Sequence, residues 1–215
     1  MEDFPFSKRL TLHALWLNSN GAAGVRLDVM GKSLRGIHTH GADLTGASLI
    51  DADFRHAEMI NTNFIGSDLR GADLRGAQLE GSDFTAALLK GVRFREAKLH
   101  KANLLRAKLE FADLRDTILA EANLIDANLV CARLQGVNLS KALLKGADLR
   151  GADLRGTILT GTDFSYACLP GASLEGATVD QDTNFYDAQV NSEDFRDLNL
   201  TALKRENLPV PLRAN

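Results

Sequence analysis

Cysteine is nearly absent from these 215 residues: Cys131 and Cys168 are the only two, too few for a disulfide framework or a closed zinc site. Proline occurs 4 times, aromatic residues make up 6%, and there is one tryptophan. No apolar run approaches the ~18 residues of a membrane span. The opening MEDFPFSKRL lacks the basic start and long apolar core of an export signal. A cytoplasmic protein with no membrane association is expected. Excess charge of one sign is missing too. Lys and Arg number 25 against 28 Asp and Glu, a formal net charge of −3, so no whole-molecule field draws the chain to nucleic acid, and direct nucleic-acid binding is not expected. With no Ser-His-Asp order, phosphate-binding glycine loop or HExxH, the reading is of a non-enzyme without cofactor.

What is present in excess is Leu, Ala, Asp and Gly in a fixed order. Stepping in fives from Leu44 meets Leu49, Phe54, Met59, Phe64, Leu69 and Leu74, and continues in one register to Leu169, Leu174 and Val179. Two residues before each comes a small one, as in Ala42, Ala47, Ala52, Ala57, Thr62 and Ser67. A period of five fits neither the 3.6 of a helix nor the 2 of a strand. Glycine closes many units, as at Gly66, Gly71, Gly76 and Gly81, and each would cost a helix about 1 kcal/mol. Glycine suits a corner instead, so each unit reads as one side of a square with two residues, one large and one small, turned inward.

The units Ala72 to Gly76 and Ala152 to Gly156 both read A-D-L-R-G, which resembles the pentapeptide-repeat consensus over roughly residues 27 to 200. The resemblance implies an all-β fold, a right-handed quadrilateral β-helix with four repeats per coil. At the ~4.8 Å spacing of stacked strands, about eight coils make a rod of about 37 Å. The expected organisation is an N-terminal helical cap over 1–26, the repeat β-helix over 27–180, and a register-shifted end with a C-terminal helix and tail over 181–215.

Solenoids cover their open ends. Ser7 is the expected cap of a helix running through Leu10, Leu12, Leu15, Trp16 and Leu17 to a stop at Asn20-Gly21. The first coil should be irregular, because Leu27, Lys32 and Ile37 occupy small positions and Thr39 a leucine position. The register slips by one residue between Val179 and Phe185, and Ser192 is placed to start a helix from Glu193 to about Lys204 that ends before Pro209 and Pro211. Related family members dimerise through the C-terminal end, which makes Phe185, Tyr186, Phe195, Leu198 and Leu200 a candidate dimer or cap surface.

Four repeats per coil put residues twenty apart in one column. Arg35, Arg55, Arg75, Arg95, Arg115 and Arg155 share such a column, interrupted by Gln135, and Arg93 and Arg133 join the aspartates of the column beside it. This is either an anion-binding stripe or a self-neutralising Asp/Arg ladder. Ile65, Leu105, Ile125 and Leu143 mark a candidate apolar contact face. His38, His40 and Glu58 have metal-ligand types but only three donors, and read as an incidental cluster, so no metal is assigned. The resemblance implies that the best-understood relatives mimic duplex DNA and protect type II topoisomerase from quinolones. The acidic column here is broken by Asn63, Asn103 and Leu143. The leading expectation is therefore a protein-interaction scaffold with a partner of unknown identity. DNA-mimic action on DNA gyrase and polyanion binding along the arginines stand as alternatives.

Overall fold

The computed structural model describes residues 5–195, 198 and 200–209. Its logic follows from the five backbone N–H groups that every unit must satisfy. In the unit Thr62 to Gly66, Thr62 donates back across the corner to Met59 O at 3.2 Å, and Asn63 donates to Ala42 O of the preceding coil at 2.9 Å. Phe64 and Gly66 donate to Asp83 O and Thr85 O of the following coil at 2.6 and 2.9 Å. The Ile65 amide is left over, and the Asn63 side-chain oxygen accepts it at 3.0 Å. Among the described residues, every Asp and Asn at this second position of a unit, from Asp28 to Asn184, accepts the amide two places on. Asp and Asn recur there because their short side chains reach that N–H while the backbone turns.

The corner explains the glycines. The last residue of every unit from 31 to 176 has positive φ, from 53° at Asp51 to 76° at Gly171, in the third place of a four-residue turn. Glycine adopts this freely; Ala86 (φ 55°) and Phe111 (φ 60°) hold it at roughly 1 kcal/mol each, offset by the inter-coil hydrogen bonds on both sides.

Parallel bridges join residues twenty apart from Asp28↔Ser48 through Ile158↔Thr178, so each coil contains four units and the solenoid has four sides. The last two bridges, Asp163↔Asn184 and Cys168↔Gln189, span twenty-one. That is the register slip read from the sequence, and Asp180 accommodates it: its Oδ1 accepts the amides of Gly161, Asp182 and Thr183 and the Thr183 hydroxyl. We refer to the sides by a bridge residue on the first or second coil: the Asp43, Ser48, Asp53 and Glu58 faces.

Inside, the Leu/Phe row and the small row are both buried. Phe64 stacks on Phe84 one coil away at 4.6 Å, and Phe84 meets Phe94 edge-on at 5.8 Å. Where a hydroxyl replaces alanine it donates to a carbonyl, as Ser82 Oγ does to Met59 O (2.8 Å) and Thr162 Oγ1 to Leu139 O (2.8 Å). A buried polar group so satisfied costs little.

The ends depart from the sequence reading in three respects. Helix α1 spans Phe6–Asn18, with Pro5 at its N-cap and no side-chain cap, so Ser7 lies inside the first turn. Proline supplies a suitable backbone angle for a helix start. The helix packs Phe6 and Leu10 against the core and buries His13 fully, while Leu15 is 49% exposed. His13 Nδ1 accepts the Leu27 amide at 3.0 Å and its ring stacks on Trp16. The first coil, expected to be irregular, has regular backbone pairing from Asp28, because main-chain bonding does not depend on the interior side chain; only the packing is thinner, with Leu34 and Ile37 half-buried and Lys32 exposed. At the other end the single expected helix is replaced by short 3-10 turns at Ser192–Phe195, Leu200–Ala202 and Arg205–Asn207. They fold Phe195 edge-on against Phe185 at 4.9 Å, and Asn207 O accepts the Phe185 amide at 2.8 Å. Pro209 is buried; Pro211 lies outside the described residues.

Two outcomes follow at the N-terminal end. Gly24 has φ +74°, and a Cβ there would stand 2.2 Å from Leu12 O and 2.6 Å from Trp16 N. Gly24→Ala is expected to detach α1, read as red-shifted emission from Trp16, the one tryptophan, while the far-ultraviolet β signal of the solenoid persists. Burial pushes the His13 imidazole below its ordinary value of 6.5, against the opposing pull of Asp43. A lowered histidine stabilises the fold fully above the unfolded value and loses that contribution as pH falls below it. Trp16 emission should therefore shift only as pH falls below the ordinary histidine value of 6.5, and a transition centred at or above 6.5 would contradict this account.

Candidate interaction faces

On the Asp53 face the amide-capping aspartate also meets the arginine two places on. Arg55 grips Asp53 through Nε and Nη2 at 2.9 and 2.7 Å, and Arg75 does the same to Asp73 at 2.8 and 2.7 Å. Arg115 pairs likewise with Asp113, and Arg155 with Asp153. The Ser48 face repeats the motif at Asp68–Arg70 and Asp148–Arg150. Each carboxylate thus accepts an amide and a two-pronged guanidinium, an arrangement that fixes both side chains. The hydrogen bonds from Arg55 hold Asp53 down at about 2. Their own arginines lower Asp68, Asp113, Asp148 and Asp153. Asp73 is pushed up by burial, but Arg75 and Arg93 outweigh it.

The arginine column is therefore a ladder of local pairs, broken where the sequence breaks it. Arg93 stands in an aspartate position, so Arg95 turns to Glu96 and Asp116 at 3.4 and 3.5 Å, and Arg93 itself comes no nearer than 3.9 Å to Asp73. Gln135, in the arginine column, hydrogen-bonds to Asp153. Among the described residues Arg35 and Arg133 have no ion pair. Arg35, Arg55, Arg75 and Arg95 line a shallow groove with His56 and Glu96.

The Asp43 face has a different character. The apolar residues singled out from the sequence do lie together on it: Ile65 (36% exposed) and Leu143 (42% exposed) with the half-buried Leu105 and Ile125. Between them runs a polar ladder, in which Asn123 donates to Asn103 at 3.0 Å and Asn103 donates to Thr85 at 2.8 Å. Sequence reasoning missed the aromatic end of this face. Tyr186 occupies the same column as Ile65 once the slip to twenty-one residues is counted, and it meets Tyr166 edge-on at 5.9 Å. Lys145 lies over the Tyr166 ring at 5.5 Å.

The comparisons place this geometry. A family model described as pentapeptide repeats matches residues 40–76, 77–116, 107–146 and 138–176. The chain belongs to the pentapeptide-repeat family. Proteins of this family fold as right-handed quadrilateral β-helices. HetL, a pentapeptide-repeat protein involved in heterocyst differentiation regulation in the cyanobacterium Nostoc sp. strain PCC 7120, is 32% identical over 81% of this chain and 89% of its own, with a TM-score of 0.46. A trypsin-treated variant of QnrB1, a plasmid-mediated fluoroquinolone resistance protein, is 21% identical over 73% of this chain and 86% of its own, with a TM-score of 0.62, and shares the fold. The Nostoc pentapeptide-repeat protein alr5209 is 37% identical over 50% of this chain and 84% of its own, with a TM-score of 0.42. No curated protein matches the sequence.

In this pentapeptide-repeat protein most of the residues read as a dimer or cap surface are turned inward: Phe185, Phe195 and Leu198 are buried and Leu200 is half-buried, while Tyr186 is 41% exposed. Cys131 and Cys168 are free thiols. Among the described residues no helix is long and apolar enough to cross a membrane. His38, His40 and Glu58, set aside on sequence as incidental, are brought together by the bridge between the first two coils.

The Asp–Arg pairs can be checked by titration. Asp53 is lowered in the fold, so its contribution to stability is present above the ordinary value of 3.8 and lost as pH falls toward about 2. Carboxyl-detected nuclear magnetic resonance should place its midpoint near 2, and in Arg55→Gln the midpoint should return toward 3.8. An unchanged midpoint in the variant would remove the guanidinium as the cause.

Proposed function

We propose that this pentapeptide-repeat protein is a non-enzymatic scaffold whose Asp43 face docks a protein partner. The observation that supports it most directly is the composition of that face: Ile65, Leu105 and Ile125 in one column with Tyr186, with Leu143 and Tyr166 beside that column, set in an Asn/Asp ladder and free of the Asp–Arg pairs found on the Ser48 and Asp53 faces. Aliphatic and aromatic side chains supply most of the binding energy at protein interfaces, and tyrosine is enriched among the residues that matter most. The ladder holds its polar groups in place before a partner arrives, which lowers the ordering cost of association.

DNA mimicry toward gyrase is the second reading, prompted by the fold shared with the fluoroquinolone resistance protein QnrB1. Against it, the aspartates of the Asp53 face are matched by arginines, and the Asp43 column is diluted by Asn63, Asn103, Asn123 and Leu143. Polyanion binding rests on Arg35, Arg93 and Arg133, three cations without a close partner carboxylate, and would show steep salt dependence.

Crosslinking capture with the wild type, Leu105→Arg with Ile125→Arg, and Arg75→Glu separates these readings. The scaffold reading expects one partner held by the wild type and Arg75→Glu and lost from the double variant. Capture lost only from Arg75→Glu would move the contact to the arginine face. Inhibition of gyrase supercoiling, or its protection from a quinolone, at micromolar protein would replace the scaffold reading with the gyrase one.

A further inference from the structure

The Glu58 face begins with His38 and His40 on the first coil, and Glu58 is the bridge partner of His38 on the second. Thr39 between the histidines is buried, which turns both imidazoles outward. The strands that carry them are tied rung by rung: Glu58 N–H donates to Ile37 O at 2.8 Å, Thr39 N–H to Glu58 O at 2.9 Å, and Gly41 N–H to Ile60 O at 3.0 Å. Their side chains converge. His38 Nδ1 lies 2.9 Å from Glu58 Oε2, His40 Nε2 lies 3.6 Å from the same oxygen, and one donor atom from each of the three falls within 4.8 Å of the others.

Two features separate this cluster from the other charged groups of the surface. On the arginine-bearing faces, the carboxylates before the core residue are gripped by an arginine two places on. Here that place holds Ile60, and among the described residues Glu58 makes ion pairs with the two histidines alone. The spacing also suits a metal. Donors at ~2.0–2.1 Å from a tetrahedral ion stand about 3.3 Å apart, between the two separations seen, so modest rotation of exposed side chains is enough. Two imidazoles and one carboxylate favour the zinc-like first-row ions over calcium or magnesium, which prefer all-oxygen sets.

We propose that His38, His40 and Glu58 form a binding site for a zinc-like divalent cation, with the remaining coordination filled by water or by a donor from a partner. The ion would join the first coil to the second. That is where such a clamp has most effect, because a solenoid opens from its ends and the first coil is the thinly packed one, with Leu34 and Ile37 half-buried. A ligand that binds only the paired coils stabilises the pairing.

The test uses the full chain free of any histidine tag, titrated with zinc chloride by calorimetry and followed by amide hydrogen exchange with and without the ion. The expected result is one saturable site, weakened at least about tenfold in His38→Ala and in Glu58→Gln, unaltered in His100→Ala, with slowed exchange at Thr39 and Gly41. All three variants change exposed or half-buried side chains, and a circular dichroism spectrum like that of the wild type establishes that they fold. Absence of stoichiometric binding, equal affinity in His38→Ala, or binding that leaves exchange at Thr39 and Gly41 unchanged would each overturn the proposal.

Discussion

One backbone amide in every five has no main-chain partner, and much of the surface chemistry follows from how it is satisfied. The other four are taken by the corner and by the coils before and after, as the unit Thr62 to Gly66 shows. In that unit the fifth is accepted by Asn63, and the same bond forms wherever an Asp or Asn stands two residues earlier. The carboxylate so placed stands beside the side chain that follows the core residue. When that side chain is arginine the two lock together, as at Asp53–Arg55 and Asp148–Arg150; when it is threonine, as at Asp43–Thr45, the hydroxyl donates at 2.6 Å. The aspartates at this position are first of all structural acceptors, and their charge is a secondary property that the next residue but one either cancels or leaves standing.

This limits what net charge reveals. A formal charge of −3 could describe a uniformly mixed surface, but the columns sort it. Arginine and aspartate alternate along the Asp53 face, neutral except near Arg35, Arg93 and Arg133, while the Asp43 face carries aspartates and asparagines with few cations. Exposed pairs of this kind contribute about 0–1 kcal/mol each to stability, so their larger effect is on recognition: a guanidinium already held by a carboxylate is a weak point of attachment for phosphate, and a carboxylate already held by a guanidinium is a poor imitation of it.

The architecture was legible in the sequence because its determinants are local and repeated. Leu44 to Val179 in steps of five, the small residues two places earlier and the corner glycines each appear many times, so a single exception such as Thr62 or Val92 does not hide the period. The slip near Asp180 was equally legible, as a change of phase. What was not legible depended on single, unrepeated contacts. Nothing in the spacing of Leu10, Leu12 and Leu15 announces that His13 is the residue buried against Leu27, since a histidine on a helix is more often exposed. The helix start at Pro5, rather than Ser7, and the three 3-10 turns in place of one C-terminal helix are likewise decided by packing against the last coils. Tyr186 was named with Phe185 and Phe195 for the end surface, whereas it stands outward beside Tyr166 while Phe185 and Phe195 are buried.

A solenoid whose coils touch only their neighbours has stability that is close to a sum of coil and interface contributions, and its weakest members are the ends. The two ends here are closed by unlike means. At the C-terminus the chain folds back, placing Phe195 against Phe185 and stacking Phe185 on Phe164 at 4.9 Å, so that the aromatic column continues into the cap. At the N-terminus the contact is polar and titratable: a buried imidazole accepts the Leu27 amide and also meets the Thr45 backbone. Protonation would remove that acceptor, so the N-terminal cap is the end whose closure is tied to pH. The rigid middle of the rod, where each face is held by hydrogen bonds on both sides, is the better platform for a partner, and the apolar residues of the Asp43 face from Ile65 to Leu143 lie there rather than at either cap.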